Sequence, residues 1–129
     1  MMSGIRGKDT KPEMLVRRFL HAHGYRYRLH RKDLPGKPDI VLPRLRVCIF
    51  VHGCFWHHHP GCRFAVLPKS RPEFWETKLL ANAVRDQRVL KSLNEAGWRT
   101  FVVWECELRR SEAVLDGLLK QLRELSSLA

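Results

Sequence analysis

The sequence predicts one α/β domain whose helices and strands follow the order α-β-β-β-α-β-α. Three observations carry that reading. Apolar residues recur at helical spacing in two stretches near the ends of the 129-residue chain. Short apolar runs lie between them, set off by Gly and Pro. A hydrophobic content of 44%, with four Trp and six Phe, is enough for a folded core and too high for a disordered tail. No repeat, low-complexity tract or linker interrupts the chain, so residues 1–129 are expected to form a single domain.

Residues 1–9 are polar and aperiodic, which predicts a flexible or DNA-docking arm. Thr10-Lys11-Pro12-Glu13 has the form of a capping box. It opens a helix from Lys11 to about His23, with Leu15, Val16, Phe19 and Leu20 as its apolar stripe. Gly24 closes that helix. Tyr25 to His30 alternates as a strand with its arginines outward. Leu34-Pro35-Gly36-Lys37-Pro38 is turn chemistry that delivers Asp39 to the start of the strand Ile40-Val41-Leu42. Pro43-Arg44 turns the chain again, and Val47 to Val51 is apolar enough to be a central strand. After a cysteine- and histidine-rich loop, a helix runs from about Glu73 to Glu95 and ends at Gly97. Trp98 to Trp104 is a strand. The last helix, Ser111 to Leu125, carries Val114, Leu115, Leu118, Leu119 and Leu122 on one face.

Charge narrows the class of partner. Lys and Arg number 24 against 13 Asp and Glu, a net charge of +11, with a pI near 10.2. Such a field attracts polyanions, of which nucleic acid is the commonest. The competing reading is a merely solvated basic surface. No apolar run approaches the roughly 20 residues that cross a bilayer, and nothing near Met1 resembles a signal peptide, because Arg6, Lys8, Asp9 and Lys11 interrupt any apolar stretch. The expected location is the cytoplasm, with no membrane partner.

Residues 50–62, Phe-Val-His-Gly-Cys-Phe-Trp-His-His-His-Pro-Gly-Cys, hold two cysteines, four histidines and three large aromatics at the end of an apolar strand. Four cysteines in a cytosolic chain point to metal or reactivity rather than to disulfides. Cys54, His59, Cys62 and Cys106 could close a Cys3His tetrahedron, and a site closed by four protein ligands is structural. The alternative is four ordinary buried cysteines with incidental histidines. Cys48, inside the apolar run, reads as core. Asp39 is either a turn residue or a ligand for a hard cation such as Mg²⁺. His57 is either inert at the surface or a proton acceptor near neutral pH. Phe55, Trp56 and Trp75 either cover the metal or stack on bases.

Taken together, Leu34-Pro-Gly-Lys-Pro-Asp39, Val51-His-Gly-Cys-Phe-Trp-His-His-His59, Glu73-Phe-Trp75, Asn82, Arg85-Asp86 and Val103-Trp-Glu-Cys106 resemble the very-short-patch repair (Vsr) DNA mismatch endonucleases. The resemblance spans about residues 2 to 110, in order and at the family's spacing. It implies a restriction-endonuclease-like fold of the PD-(D/E)XK type, a mixed sheet flanked by helices with a structural zinc. It also implies a Mg²⁺-dependent nick 5′ to the thymine of a T:G mismatch in double-stranded DNA. By resemblance Asp39 is the central Mg²⁺ ligand, the Val51 carbonyl a second, and His57 the base that activates water. Glu13, His52 and Asp86 match other residues of the active-site region. Cys54, His59, Cys62 and Cys106 match the zinc ligands. Phe55, Trp56 and Trp75 match intercalating aromatics, Met2 a methionine that wedges from the minor-groove side, and Asn82 a DNA-binding position.

Two departures stand out: Val51 replaces a threonine, and Pro60-Gly61 lengthens the interval from His59 to Cys62. Family members often carry a basic arm at the amino end. Almost nothing precedes Met2-Ser3-Gly4, so lower DNA affinity, or a start further upstream, is the expectation. The resemblance further implies a monomer at the bacterial nucleoid, working with other mismatch-repair proteins and a partner methylase. Two rivals remain: a Vsr-like nuclease without mismatch preference, from a restriction or mobile-element setting, and a zinc-stabilised DNA-binding module without catalysis. The second has no need of Asp39 and His57.

Overall fold

A computed structural model describes residues 10–128. The arm and Met2 lie outside the described residues. The first helix, α1 (Lys11–Ala22), begins where the Thr10 hydroxyl accepts the Glu13 N–H. Glu13 directs its carboxylate to His30 and Arg17. At the other end Gly24 takes φ +83°, the Gly24 N–H donates to His21 and the Tyr25 N–H to Leu20. These are the two bonds of a Schellman cap.

Four strands follow as a sheet ordered β1-β2-β3-β4. The short β1 (Arg28–Leu29) runs antiparallel to β2 (Ile40–Leu42), and β2 antiparallel to β3 (Val47–His52). A long helix, α2 (Pro72–Glu95), then crosses over to β4 (Arg99–Trp104), which lies parallel to β3. Helices α3 (Glu105–Arg110) and α4 (Ala113–Leu128) finish the chain.

Alternation along β2 and β3 divides the interior in two. Ile40, Leu42, Val47 and Ile49 face α1 and α4, packing with Val16, Leu20, Leu115, Leu118 and Leu122. Val41, Cys48 and Phe50 face α2 and meet Leu93, with Val89, Leu90 and Trp98 at the margin. The result is a mixed four-stranded sheet with helices on both faces. Cys48 is fully buried, as expected of a core residue.

Three expectations need correction. Tyr25 to His30 alternates in burial, yet only Arg28–Leu29 pairs as strand, because the partner β2 is itself only three residues long. Leu15 is 48% exposed and lies off the buried stripe; Glu13, Val16 and Leu20 form the inward face. Residues 105–110, to which the predicted order assigns no element, form α3, capped by the Glu107 carboxylate on the Trp104 N–H. Among the described residues no helix is long and apolar enough to cross a membrane.

Candidate active site and metal cluster

The topology gathers the singled-out residues at one end of the sheet. Chain leaves β3 at His52 and β4 at Trp104, the carboxyl ends of the parallel pair. Since β2 is antiparallel to β3, its first residues sit at that same end. Asp39, the histidine loop and Cys106 therefore converge, although up to 67 positions separate them in sequence. Carboxyl ends of parallel strands are where open α/β sheets bind ligands.

Cys54, His59, Cys62 and Cys106 form one cluster, with ligand atoms all within 4.8 Å of one another. The loop that carries three of them is wound on its own backbone: the His57 N–H donates to Gly53, His58 to Phe55 and His59 to Cys54. The Cys106 N–H points at Cys54 Sγ, at 3.4 Å. Cys106 Sγ lies 3.4 Å from His59 Nδ1, close to the edge of about 3.6 Å expected for sulfur and nitrogen on a tetrahedral zinc. Burial pushes the Cys54 thiol up to about 12, and a divalent cation would reverse that by favouring the thiolate. The donor set and its spacing fit zinc. The Trp104 ring stacks on His59 at 4.0 Å and covers one side.

Beside this cluster, His57 Nδ1 is 2.7 Å from the Asp86 carboxylate. The His52 ring lies parallel to that of His57, 3.7 Å away with 2° between planes. Burial, then the neighbouring His57, lowers His52 to about 4, so it is neutral at physiological pH. The Val51 N–H donates to Asp39 Oδ2 at 2.8 Å, which brings the peptide of residue 51 against that carboxylate. Burial raises Asp39 to about 6; the Val51 N–H opposes the rise, the Glu13 charge adds to it, and His30 and His57 oppose it. Glu13, only 2% exposed, contributes a second carboxylate to the same pocket. Two buried acids side by side are costly without a cation, and the pocket suits one.

The helix α2 supplies the far wall from one stripe. Trp75, Leu79, Asn82, Asp86, Val89 and Leu93 recur at alternating steps of four and three, the face a helix turns toward its sheet. Leu79 and Leu93 are buried core, Asp86 holds His57, and Asn82 Nδ2 donates to the Trp56 carbonyl at 3.1 Å. Asn82 thus fixes the loop one residue before His57. Phe55, Trp56 and Trp75 meet edge to face, with centroids 5.2–5.9 Å apart. The Lys78 ammonium stands about 6 Å from both tryptophan rings. All three aromatics remain half exposed, an arrangement that could stack on bases.

Sequence reasoning missed His30 in this setting. Its Nε2 is 2.9 Å from Glu13, and Glu13, His30 and Asp39 form a further cluster that could hold a cation. The only local signal was its place at the end of an alternating run.

Comparisons with known proteins identify the family. Residues 1–63 match the family model described as DNA mismatch endonuclease Vsr. Type II nicking enzyme V.XorIIP of Xanthomonas oryzae pv. oryzae is 58% identical over 84% of this chain and 79% of its own length. Type II nicking enzyme V.NmeAIP of Neisseria meningitidis serogroup A is 42% identical over 97% of this chain and 89% of its own. DNA mismatch endonuclease Vsr of Escherichia coli K12 is 42% identical over 95% of this chain and 78% of its own. Likeness at that level, over almost the whole chain, shows the family: the chain belongs to the Vsr family and is an endonuclease.

Proposed function

We propose that this protein nicks duplex DNA 5′ to the thymine of a T:G mismatch, in a Mg²⁺-dependent reaction. It would act as a monomer of one restriction-endonuclease-like domain, PD-(D/E)XK in type, at the bacterial nucleoid. One observation carries the reading: the Asp39 carboxylate, an Asp86-held His57 and the Phe55–Trp56–Trp75 cluster converge at one end of the sheet.

Asp39 and the Val51 carbonyl would hold Mg²⁺, with Glu13 beside them. Bound there, the ion would offset charge on the phosphate and make water easier to deprotonate. With Asp86 accepting from Nδ1, His57 presents Nε2 as the base. The water oxygen forms a bond to phosphorus, one P–O ester bond breaks, His57 takes the water proton, and the departing oxygen is protonated from solvent. Neutral His52 lets its stacked neighbour gain that proton without a second imidazolium 3.7 Å away. Phe55, Trp56 and Trp75 would wedge into the base stack, with Met2 from the opposite groove. Wedging costs least where pairing is already poor, which is one source of mismatch preference. Cys54, His59, Cys62 and Cys106 would hold a structural zinc. The nick would pass to other mismatch-repair proteins.

A second reading has its own support: V.XorIIP and V.NmeAIP are named as type II nicking enzymes, which suits a restriction setting. A nicking assay on labelled T:G and T:A duplexes with Mg²⁺, controlled by Asp39→Ala, separates the two. A nick on the T strand of the T:G duplex alone supports mismatch repair. Equal cutting of both duplexes supports the restriction setting, and tight binding without cutting would reduce the protein to a DNA-binding module.

A further inference from the structure

The pocket around Asp39 contains an imidazole that none of the foregoing roles uses. Glu13 comes from α1, His30 from the end of β1 and Asp39 from the start of β2, and their ligand atoms lie within 4.8 Å of one another. His30 Nε2 is 2.9 Å from Glu13 Oε2. Around an octahedral ion with bonds of about 2.1 Å, neighbouring donors are about 3.0 Å apart and opposite donors about 4.2 Å. Both spacings fit.

The backbone holds His30 in this place. Its N–H donates to the Asp39 carbonyl at 3.1 Å, so the two residues face each other across the β1–β2 pair. His30 also takes φ +48°, in the left-handed region. Strand alternation would send its side chain to the face opposite Leu29, which packs with the α1 side of the core. The left-handed turn instead lets the ring meet Glu13 of α1. The left-handed region is uncommon outside glycine, and here it fixes the direction in which the His30 ring leaves the strand.

We propose that His30 is a third side-chain ligand, making a two-carboxylate, one-imidazole site that takes a first-row transition cation of the Mn²⁺ class in preference to Mg²⁺. The proposal rests on reading Asp39 as a cation ligand. Mg²⁺ favours oxygen donors and retains its waters, whereas imidazole binds transition cations better. A bare ion pair between His30 and Glu13 would show no such discrimination.

The test uses the full zinc-loaded chain without DNA. Mn²⁺ is titrated and its free fraction read by electron paramagnetic resonance, Mg²⁺ is measured by competition, and pulsed spectra report nitrogen bound to Mn²⁺. Wild type and His57→Gln should each bind one Mn²⁺ with a directly coupled nitrogen. His30→Gln should lose that coupling and weaken Mn²⁺ on the order of tenfold or more, with a much smaller change for Mg²⁺. Asp39→Ala should lose the ion, with its thermal transition confirming that it is folded. Absence of Mn²⁺ binding to wild type, coupling that survives His30→Gln, binding that survives Asp39→Ala, or equal losses for both cations would overturn the proposal. Mg²⁺-supported nicking of T:G duplexes alongside any of these results would leave the proposed function standing. A nitrogen-coupled ion in a protein that cuts no duplex would do the reverse.

Discussion

Two of the three candidate metal clusters among the described residues, the cysteine cluster and the acidic pocket, share one end of the sheet and are built in opposite ways. The cysteine cluster is closed: four side chains surround one point, its loop is bonded to itself, and Trp104 covers it. The acidic pocket is open: Glu13, His30 and Asp39 contribute single donors from three elements, beside a histidine that is oriented but half exposed. A closed site can hold a fold together but has no position left for substrate; an open one can do chemistry but contributes little to holding the chain. The loop from Cys54 to Cys62 joins the two, since it ends in zinc-type ligands and carries His57 in its middle. On the proposed reading, a metal held at the first cluster would give the second a fixed base.

Stripping the closed cluster should have the largest effect. Cys106→Ser, or a chelator that competes with thiolates, should cost on the order of 5 kcal/mol, given roughly 10–16 kcal/mol for zinc in small peptides. The measurement is the cooperative thermal transition, together with zinc content. A transition unchanged after complete loss of zinc would mean that the cluster does not hold the loop.

The open pocket should respond in the opposite sense. Asp39→Asn should lower nicking by roughly a thousandfold or more, the scale expected when a cation loses its central ligand. Stability should rise. Burial lifts this carboxyl from 3.8 to about 6, so the stability linked to it is present below about pH 4 and is lost as pH rises through about 6. Two units correspond to about 3 kcal/mol, an upper bound because water reaches part of the group. With zinc retained and no Mg²⁺ or Mn²⁺ added, Asp39→Asn should therefore stabilise the protein by about 1–3 kcal/mol at pH 7–8, and by nothing near pH 4. A lower melting point at pH 8 would show that Asp39 is a structural residue.

Asp86→Asn is a finer cut, because it leaves both clusters their ligands. Asn can offer its amide N–H to Nδ1, which places the imidazole lone pair on the wrong nitrogen. Nicking should fall by about a hundred- to ten-thousandfold, with DNA affinity and zinc content unchanged. A variant that loses binding in proportion would assign Asp86 to the interface instead.

These contrasts also explain what was readable in the sequence. The closed cluster was legible as a candidate because its donors are rare residue types, three of them within nine positions, and a density of that kind marks the loop. Asp39 was legible through its turn and through resemblance. His30 was not, because its partner Glu13 lies 17 residues away and a histidine ending a strand has no local mark. Helix α3 escaped for a similar reason: six residues are too few for an apolar period, and its cap depends on Glu107 reaching back to Trp104. Leu15 misled because periodicity cannot tell which edge of an apolar stripe meets the core, and here a buried Glu13 takes the inward place.

The turn that presents Asp39 gives the smallest of these effects and tests how far the open pocket relies on packing. Gly36 has φ +71°, and a Cβ there would lie 2.4 Å from Val89 Cγ1 of α2. Both the backbone conformation and the close approach therefore demand glycine. Gly36→Ala should cost about 1–3 kcal/mol, from left-handed strain and overpacking together. Adding Val89→Ala removes the clashing methyls but not the strain, so the double variant should regain only part of what the combined single losses would predict. Val89 shares its helical stripe with Asp86 and Asn82, so displacement of α2 by Gly36→Ala should also lower nicking more than the stability loss explains. Full recovery of stability in the double variant would show that the turn stores no strain. Full additivity would show that Gly36 and Val89 do not touch, and that Asp39 is positioned by its Val51 bond alone.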